Sequence, residues 1–155
     1  IKIRTHQKEI IALTEDELQK LESIDVGNSS EMQKAKDLFL LGCYTGLRIS
    51  DLKRINPTRI IDGRISMMLK KNSRPVTIPA LPVTSSILAR YNQKAPSISE
   101  QVLNRAIKEV CKDAGIDTTL TVRENKAGID IDVRYKKFDL ITSHTASKTF
   151  ITTVA

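Results

Sequence analysis

The chain has 155 residues, 40% of them hydrophobic and 28% charged, with a formal net charge of +7. That is enough chain for one soluble globular domain with a buried core, and no apolar run approaches the length of a membrane span. The two cysteines, Cys43 and Cys111, sit in separate helical patterns without metal-type spacing, so they read as buried thiols of a cytoplasmic protein rather than a disulfide scaffold. There is no signal peptide, and a start at Ile1 instead of methionine suggests a fragment.

The positive charge is concentrated. Residues 1–47 carry eight acidic and six basic side chains, whereas residues 48–74 carry eight basic and only two acidic ones. A patch of this kind suits a phosphate backbone, through ion pairing and counterion release, although a solvated surface would look the same.

In chain order, residues 1–13 read as a linker or arm, and residues 14–155 as the domain. Thr14 and Glu17 form a capping box ahead of a helix over 15–24. A loop at 27–30 leads to a helix over 31–45, whose stripe is Met32, Ala35, Leu38, Phe39 and Cys43, with Gly46 in the left-handed position that ends it. A helical turn over 49–54 follows. Asp62-Gly63 between Ile60-Ile61 and Arg64-Ile65 is a type I′ hairpin signal. The second strand runs to about Leu69, Lys71-Asn72-Ser73 turns the chain, and a third strand covers 75–78 before Pro79 and Pro82 break the pattern. Helices are predicted over 84–91 and 100–114, the latter with Val102, Leu103, Ala106, Ile107, Val110, Cys111 and Ala114 on one face, Ser99 capping its start and Gly115 its end. Ile129, Ile131, Val133 and Tyr135 alternate with charged residues, as in a hairpin over 120–135 with one buried face. A last helix starts near Thr145. The fold class is α+β: a mainly helical domain with a small three-stranded antiparallel sheet and an extra β-hairpin.

Three segments carry candidate chemistry. Arg48 follows the helix end at Gly46 and projects from a fixed corner; its planar fork suits two phosphate oxygens, and Asp51 is near enough in sequence to hold it. Lys71, flanked by Lys70 and Arg74, sits in a turn from which an ammonium can reach into a groove. His144 stands at a helix start, where an imidazole can bond a phosphate and exchange protons near neutral pH. Taken singly, these read as a structural Arg–Asp pair, a solvated hairpin lysine and a capping histidine.

Taken in order, they resemble the tyrosine recombinase family, which includes phage and mobile-element integrases. Thr45-Gly46-Leu47-Arg48-Ile49-Ser50-Asp51-Leu52 is similar to the family's first arginine box. Lys71-Asn72-Ser73-Arg74-Pro75-Val76-Thr77-Ile78-Pro79 is similar to its β-hairpin lysine motif, and Ser143-His144-Thr145-Ala146 with Thr149-Phe150 to its histidine–arginine box. The resemblance implies a recombinase catalytic domain that binds duplex DNA with Lys70 and Arg74 among its contacts, and whose complete protein assembles as a tetramer of protomers on DNA. It implies that Arg48 clamps the scissile phosphate, Asp51 supports Arg48 or its surroundings, Lys71 protonates the leaving 5′ oxygen, and His144 assists. It implies no metal and no other cofactor.

Two departures stand out. The family's second arginine falls at Ser147. The nucleophilic tyrosine lies beyond the histidine box, so none of Tyr44, Tyr91 and Tyr135 is assigned to it, and the fragment by itself is expected to be inactive. A non-enzymatic DNA-binding protein on a degenerate recombinase fold is the alternative that Ser147 raises. An RNA-binding or protein-interaction domain finds little support, because three phenylalanines, three tyrosines and no tryptophan offer few stacking platforms.

Overall fold

The computed structural model describes residues 11–155. Most of the amino-terminal arm read from the sequence, residues 1–10, lies outside the described residues. Six helices, a three-stranded sheet and a two-stranded hairpin are described, which is the α+β class expected.

The predicted local signals hold. Helix α1 (Glu15–Ser23) carries the Thr14–Glu17 capping box, with both reciprocal bonds formed. Helix α2 (Ser30–Thr45) is capped by Ser29 and ends at Gly46, whose φ of 75° is left-handed. Helix α3 (Ile49–Leu52) is a single turn. Strands β1 (Ile60–Ile61), β2 (Arg64–Met68) and β3 (Pro75–Pro79) form an antiparallel sheet in that order. Asp62 and Gly63 take φ values of 51° and 71°, as a type I′ turn requires. Helix α5 (Glu100–Asp113) is capped by Ser99 and buries Leu103, Ala106, Ile107, Val110 and Cys111.

Helix α2 is the centre of the domain and packs against the other helices on all sides. Its sequence reads as an amphipathic stripe, but every residue from Ala35 to Cys43 is buried, including two ionisable ones. Asp37 accepts bonds from Gln33, from Arg90 (3.1 Å) and from the Tyr91 hydroxyl (2.6 Å), which fastens the end of helix α4 (Pro82–Arg90). Lys36 donates to the carbonyls of Glu22 and Ile24, both at 2.9 Å, and so satisfies the free end of α1.

Helix α6 (Ser143–Thr149) crosses α2 at very short range: a Cβ built on Gly42 would lie 2.7 Å from the Ala146 Cβ. Its last turn continues as a π-type turn over Phe150–Val154. Thr149 accepts from the amide of fully buried Leu13 (3.0 Å), joining the two ends of the described chain.

Three expectations differ. Pro82 does not merely break the strand pattern but opens α4, since proline fits the first helical turn, where its missing N–H would have had no partner. Val102 and Ala114, at the two ends of the α5 face, are half-buried rather than core. Strands β4 (Thr119–Lys126) and β5 (Ile129–Lys136) pair as predicted, but their apolar face is not buried: Ile129 is 65% and Ile131 38% exposed. At the base of the ribbon the Lys137 amide donates to the Thr118 carbonyl (2.8 Å), and β5 runs into the short helical turn Lys137–Leu140.

Candidate active site

The corner that carries Arg48 is built from its neighbours. Gly46 turns the chain out of α2, while Leu47 and Leu52 are buried on either side and anchor the two elements. The Thr45 hydroxyl donates to the Leu41 carbonyl (2.7 Å) and accepts from the Leu47 amide (3.2 Å). Arg48 is the residue before α3, in extended conformation, and is exposed.

Lys71 arrives from the β2–β3 turn. Leu69 donates to the Arg74 carbonyl (2.8 Å), Ser73 donates to the Leu69 carbonyl (2.9 Å), and the Asn72 side chain accepts from the Arg74 amide (3.0 Å). The turn is thus closed by its own bonds, which leaves the side chains of Lys71 and Arg74 free to project.

These two segments meet. An open cleft of about 650 Å³ is lined by Arg48, Asp51, Lys71, Asn72 and Arg74, by Val76 and Ile78 of β3, and by Phe150 and Ile151 beyond α6. Lys70 lines a neighbouring groove on the other side of the turn, with Ser50, Lys53 and Arg54. His144 and Ser147 are not among the residues lining the cleft. His144 is exposed on the first turn of α6, which is held to α5 by bonds from the Ser143 amide to Asn104 (2.8 Å) and from the Ser143 hydroxyl to Glu100 (2.6 Å). The Ser147 hydroxyl donates to the His144 carbonyl of its own helix (3.2 Å).

Asp51 does not hold Arg48. Its carboxylate is almost fully buried and accepts from the guanidinium of Arg54 (3.0 Å) and the backbone amide of Lys70 (2.8 Å). Arg54 is a residue the sequence reading missed. Its i,i+3 spacing from Asp51 was the available signal, and Arg48, three residues on the other side, competes for it.

The electrostatics follow from pairing. Among the described residues, Arg54 is the one cation of the eight between 48 and 74 with an ion-pair partner. Elsewhere Arg90, Arg105, Arg123 and Lys137 are each matched to a carboxylate. The Arg48–Arg74 face therefore keeps its positive field, and a guanidinium and an ammonium across one cleft can grip a tetrahedral oxyanion.

The three tyrosines point elsewhere. Tyr44 donates to Glu22 (2.5 Å), Tyr91 to Asp37 (2.6 Å) and Tyr135 to Glu124. Burial first, and then the adjoining carboxylate, push the Tyr44 and Tyr91 hydroxyls above the usual phenol range; for Tyr135 the Glu124 bond is the main cause. None lines the cleft, and a phenol held protonated by a carboxylate is a poor nucleophile. Among the described residues no group of three or more His, Cys, Asp or Glu could hold a metal ion; Asp132 pairs with Arg123 and Asp130 accepts from Asn125. No described helix is long and apolar enough to cross a membrane.

Comparison of the sequence with family models and with curated proteins gives no match. Solved structures do match. The chain aligns with XerH site-specific recombinase bound to difH substrate, in a pre-cleavage complex, at a TM-score of 0.57 and 20% identity, over 93% of this chain and 42% of that one. It aligns with the lambda integrase catalytic core at 0.53 and 16%, over 90% of both chains, and with a lambda integrase tetramer bound to a Holliday junction at 0.54 and 18%, over 75% of this chain and 40% of that one. The fold is that of a tyrosine recombinase catalytic domain. In particular it is similar to the lambda integrase core, while the chain spans about two-fifths of the length of the XerH and tetrameric integrase chains.

Proposed function

We propose that this chain is the greater part of a catalytic domain that breaks and rejoins DNA site-specifically through a 3′-phosphotyrosyl intermediate. The observation that carries the reading is the convergence of Arg48 and Lys71 on one cleft, within a fold shared with lambda integrase and XerH. Arg48 binds the non-bridging oxygens of the scissile phosphate and stabilises the charge that grows in the pentacoordinate transition state. A tyrosine other than Tyr44, Tyr91 and Tyr135 attacks phosphorus as its phenolic proton passes to solvent; the bond to the 5′ oxygen breaks as that oxygen takes a proton from Lys71. By the resemblance alone, His144, which is exposed on α6 and does not line the cleft, is assigned the part of an assisting phosphate-bonding group. Attack by a free 5′ hydroxyl reverses the step, so the phosphodiester energy is kept without ATP. Lys70 and Arg74 contact the duplex backbone on both sides of the turn, and further protomers complete the assembly on DNA.

The test is a nicked suicide substrate carrying the protein's own attachment site, presented to the full-length protein. A covalent protein–DNA adduct that is lost in Arg48→Ala supports the reading. Specific binding with no adduct, despite a tyrosine downstream of His144, supports the second reading: a DNA-binding protein that has lost catalysis. Ser147, in place of the second arginine, is what favours that alternative.

A further inference from the structure

We propose that Arg54 is a positioning residue that holds the Lys71 turn in place against the Arg48 corner; this rests on the recombinase reading above. Arg54 does not line the cleft but faces the groove on the far side of the turn. Its Nη1 makes two bonds, to Asp51 Oδ1 (3.0 Å) and to the carbonyl of Met68 (2.7 Å), the last residue of β2. Asp51 uses the same oxygen to accept from the amide of Lys70 (2.8 Å). Helix α3 and the turn that follows it to Arg54 are therefore tied to the chain at both neighbours of Leu69, immediately ahead of Lys71.

Beyond that point the turn is closed by its own hydrogen bonds, so it moves as a unit. Where it stands relative to α3, and hence how Lys71 faces Arg48, is set by the tie at Met68 and Lys70. Asp51 cannot maintain the tie alone. Its carboxylate is 4% exposed, and without the guanidinium it would be a buried charge with a single amide for company. Lysine at position 54 would keep the charge, but its side chain is shorter and its ammonium is more strongly hydrated, so it would reach the Asp51 carboxylate and the Met68 carbonyl less well than the Arg54 Nη1 does.

The experiment uses the full-length protein and two suicide substrates, one ordinary and one with sulfur in place of the bridging 5′ oxygen. A thiol leaves without help, since its pKa is about 8.5, far below that of an alcohol, so the sulfur substrate does not need Lys71. We expect Arg54→Met to slow cleavage of the ordinary substrate by about tenfold or more, a general acid being worth on the order of 10²–10⁴. The sulfur substrate should recover most of that loss, and Arg54→Lys should fall between. Arg54→Met combined with Lys71→Ala should be no slower than Lys71→Ala alone. Equal slowing of both substrates, or losses that multiply in the double variant, would overturn the proposal. If the unmodified protein forms no adduct, the recombinase reading fails on its own, and amide exchange decides what Arg54 does. Faster exchange at Lys70 and through residues 69–74 in Arg54→Met, with Leu103 in α5 still protected, upholds the tie; unchanged exchange there overturns it.

Discussion

The ring of Phe150 occupies the space that Gly46 leaves open. A Cβ built on Gly46 would lie 2.5 Å from Phe150 Cδ2, and the Gly46 φ of 75° already disfavours any side chain. The close of α6 is thereby keyed to the corner that projects Arg48. Gly46→Ala is expected to destabilise the domain by about 1–3 kcal/mol through strain and overpacking, measured by urea unfolding. Because both residues share one contact, Gly46→Ala with Phe150→Ala should cost less than the sum of the two alone. A strictly additive result would mean that the ring does not sit over the glycine in solution.

The unpaired cations between Arg48 and Arg74 predict DNA binding that weakens steeply with salt, with a log–log slope of about −0.9 for each phosphate neutralised. Replacing Lys70, Lys71 and Arg74 together with alanine should flatten the slope, by up to roughly 2.7 if each neutralises one phosphate. Arg105→Ala and Arg123→Ala, which remove cations already paired with Glu31 and Asp132, should change it little. An unchanged slope in the triple variant would place the DNA face elsewhere.

Ser147 is neutral, half-buried and bonded to its own helix backbone. It stands about one helical turn before Ile151, which lines the cleft. An arginine there would bring a second fork toward the cleft. In the full-length protein, Ser147→Arg is expected to raise suicide-substrate cleavage if the wild-type site is short of one phosphate clamp, by a factor on the order of 10²–10³ from comparison with oxyanion donors. Equal adduct from both proteins would show that the charge comes from another residue, with Lys148 the first to test.

The buried thiols predict alkaline sensitivity. Burial pushes the Cys43 thiol well above its usual value of 9.0 and Cys111 up to about 12. Their folded values exceed their unfolded ones, so the stability they contribute is fully present below about pH 9 and is lost as pH rises through the folded values. In that window each thiol lowers stability by about 1.4 kcal/mol per pH unit. Tyr44 and Tyr91 add the same trend above pH 10. Burial lowers Lys36 and Lys108, and these two act in the opposite sense as pH approaches 10.5. Urea unfolding from pH 7 to 11 should show a steeper alkaline decline in the native protein than in Cys43→Ala/Cys111→Ala. Parallel curves would contradict it.

What could be read from the sequence alone is what short-range contacts decide. The Thr14–Glu17 box, the Ser99 cap, the Gly46 helix end and the Asp62-Gly63 turn each join residues within four positions, so residue type and spacing suffice. The fold class was legible from the same local signals, whereas the three ordered segments around Arg48, Lys71 and His144 stood out only by their resemblance to a known family. The tertiary structure decided the rest. Asp51 has an arginine three residues to either side, and local spacing cannot choose between Arg48 and Arg54; the passage of β2 beside α3, which presents the Met68 carbonyl and the Lys70 amide, favours Arg54 and leaves Arg48 free for the cleft. The alternation over Ile129–Tyr135 is the same whether or not another layer covers it, and here none covers Ile129 or Ile131 among the described residues. Burial of Lys36 and Asp37 on α2 likewise depended on partners from α1 and from the end of α4, more than ten and more than fifty residues away. Backbone preference and capping act over one turn of chain, whereas burial and ion-pair choice depend on which distant surfaces the packed domain brings into contact.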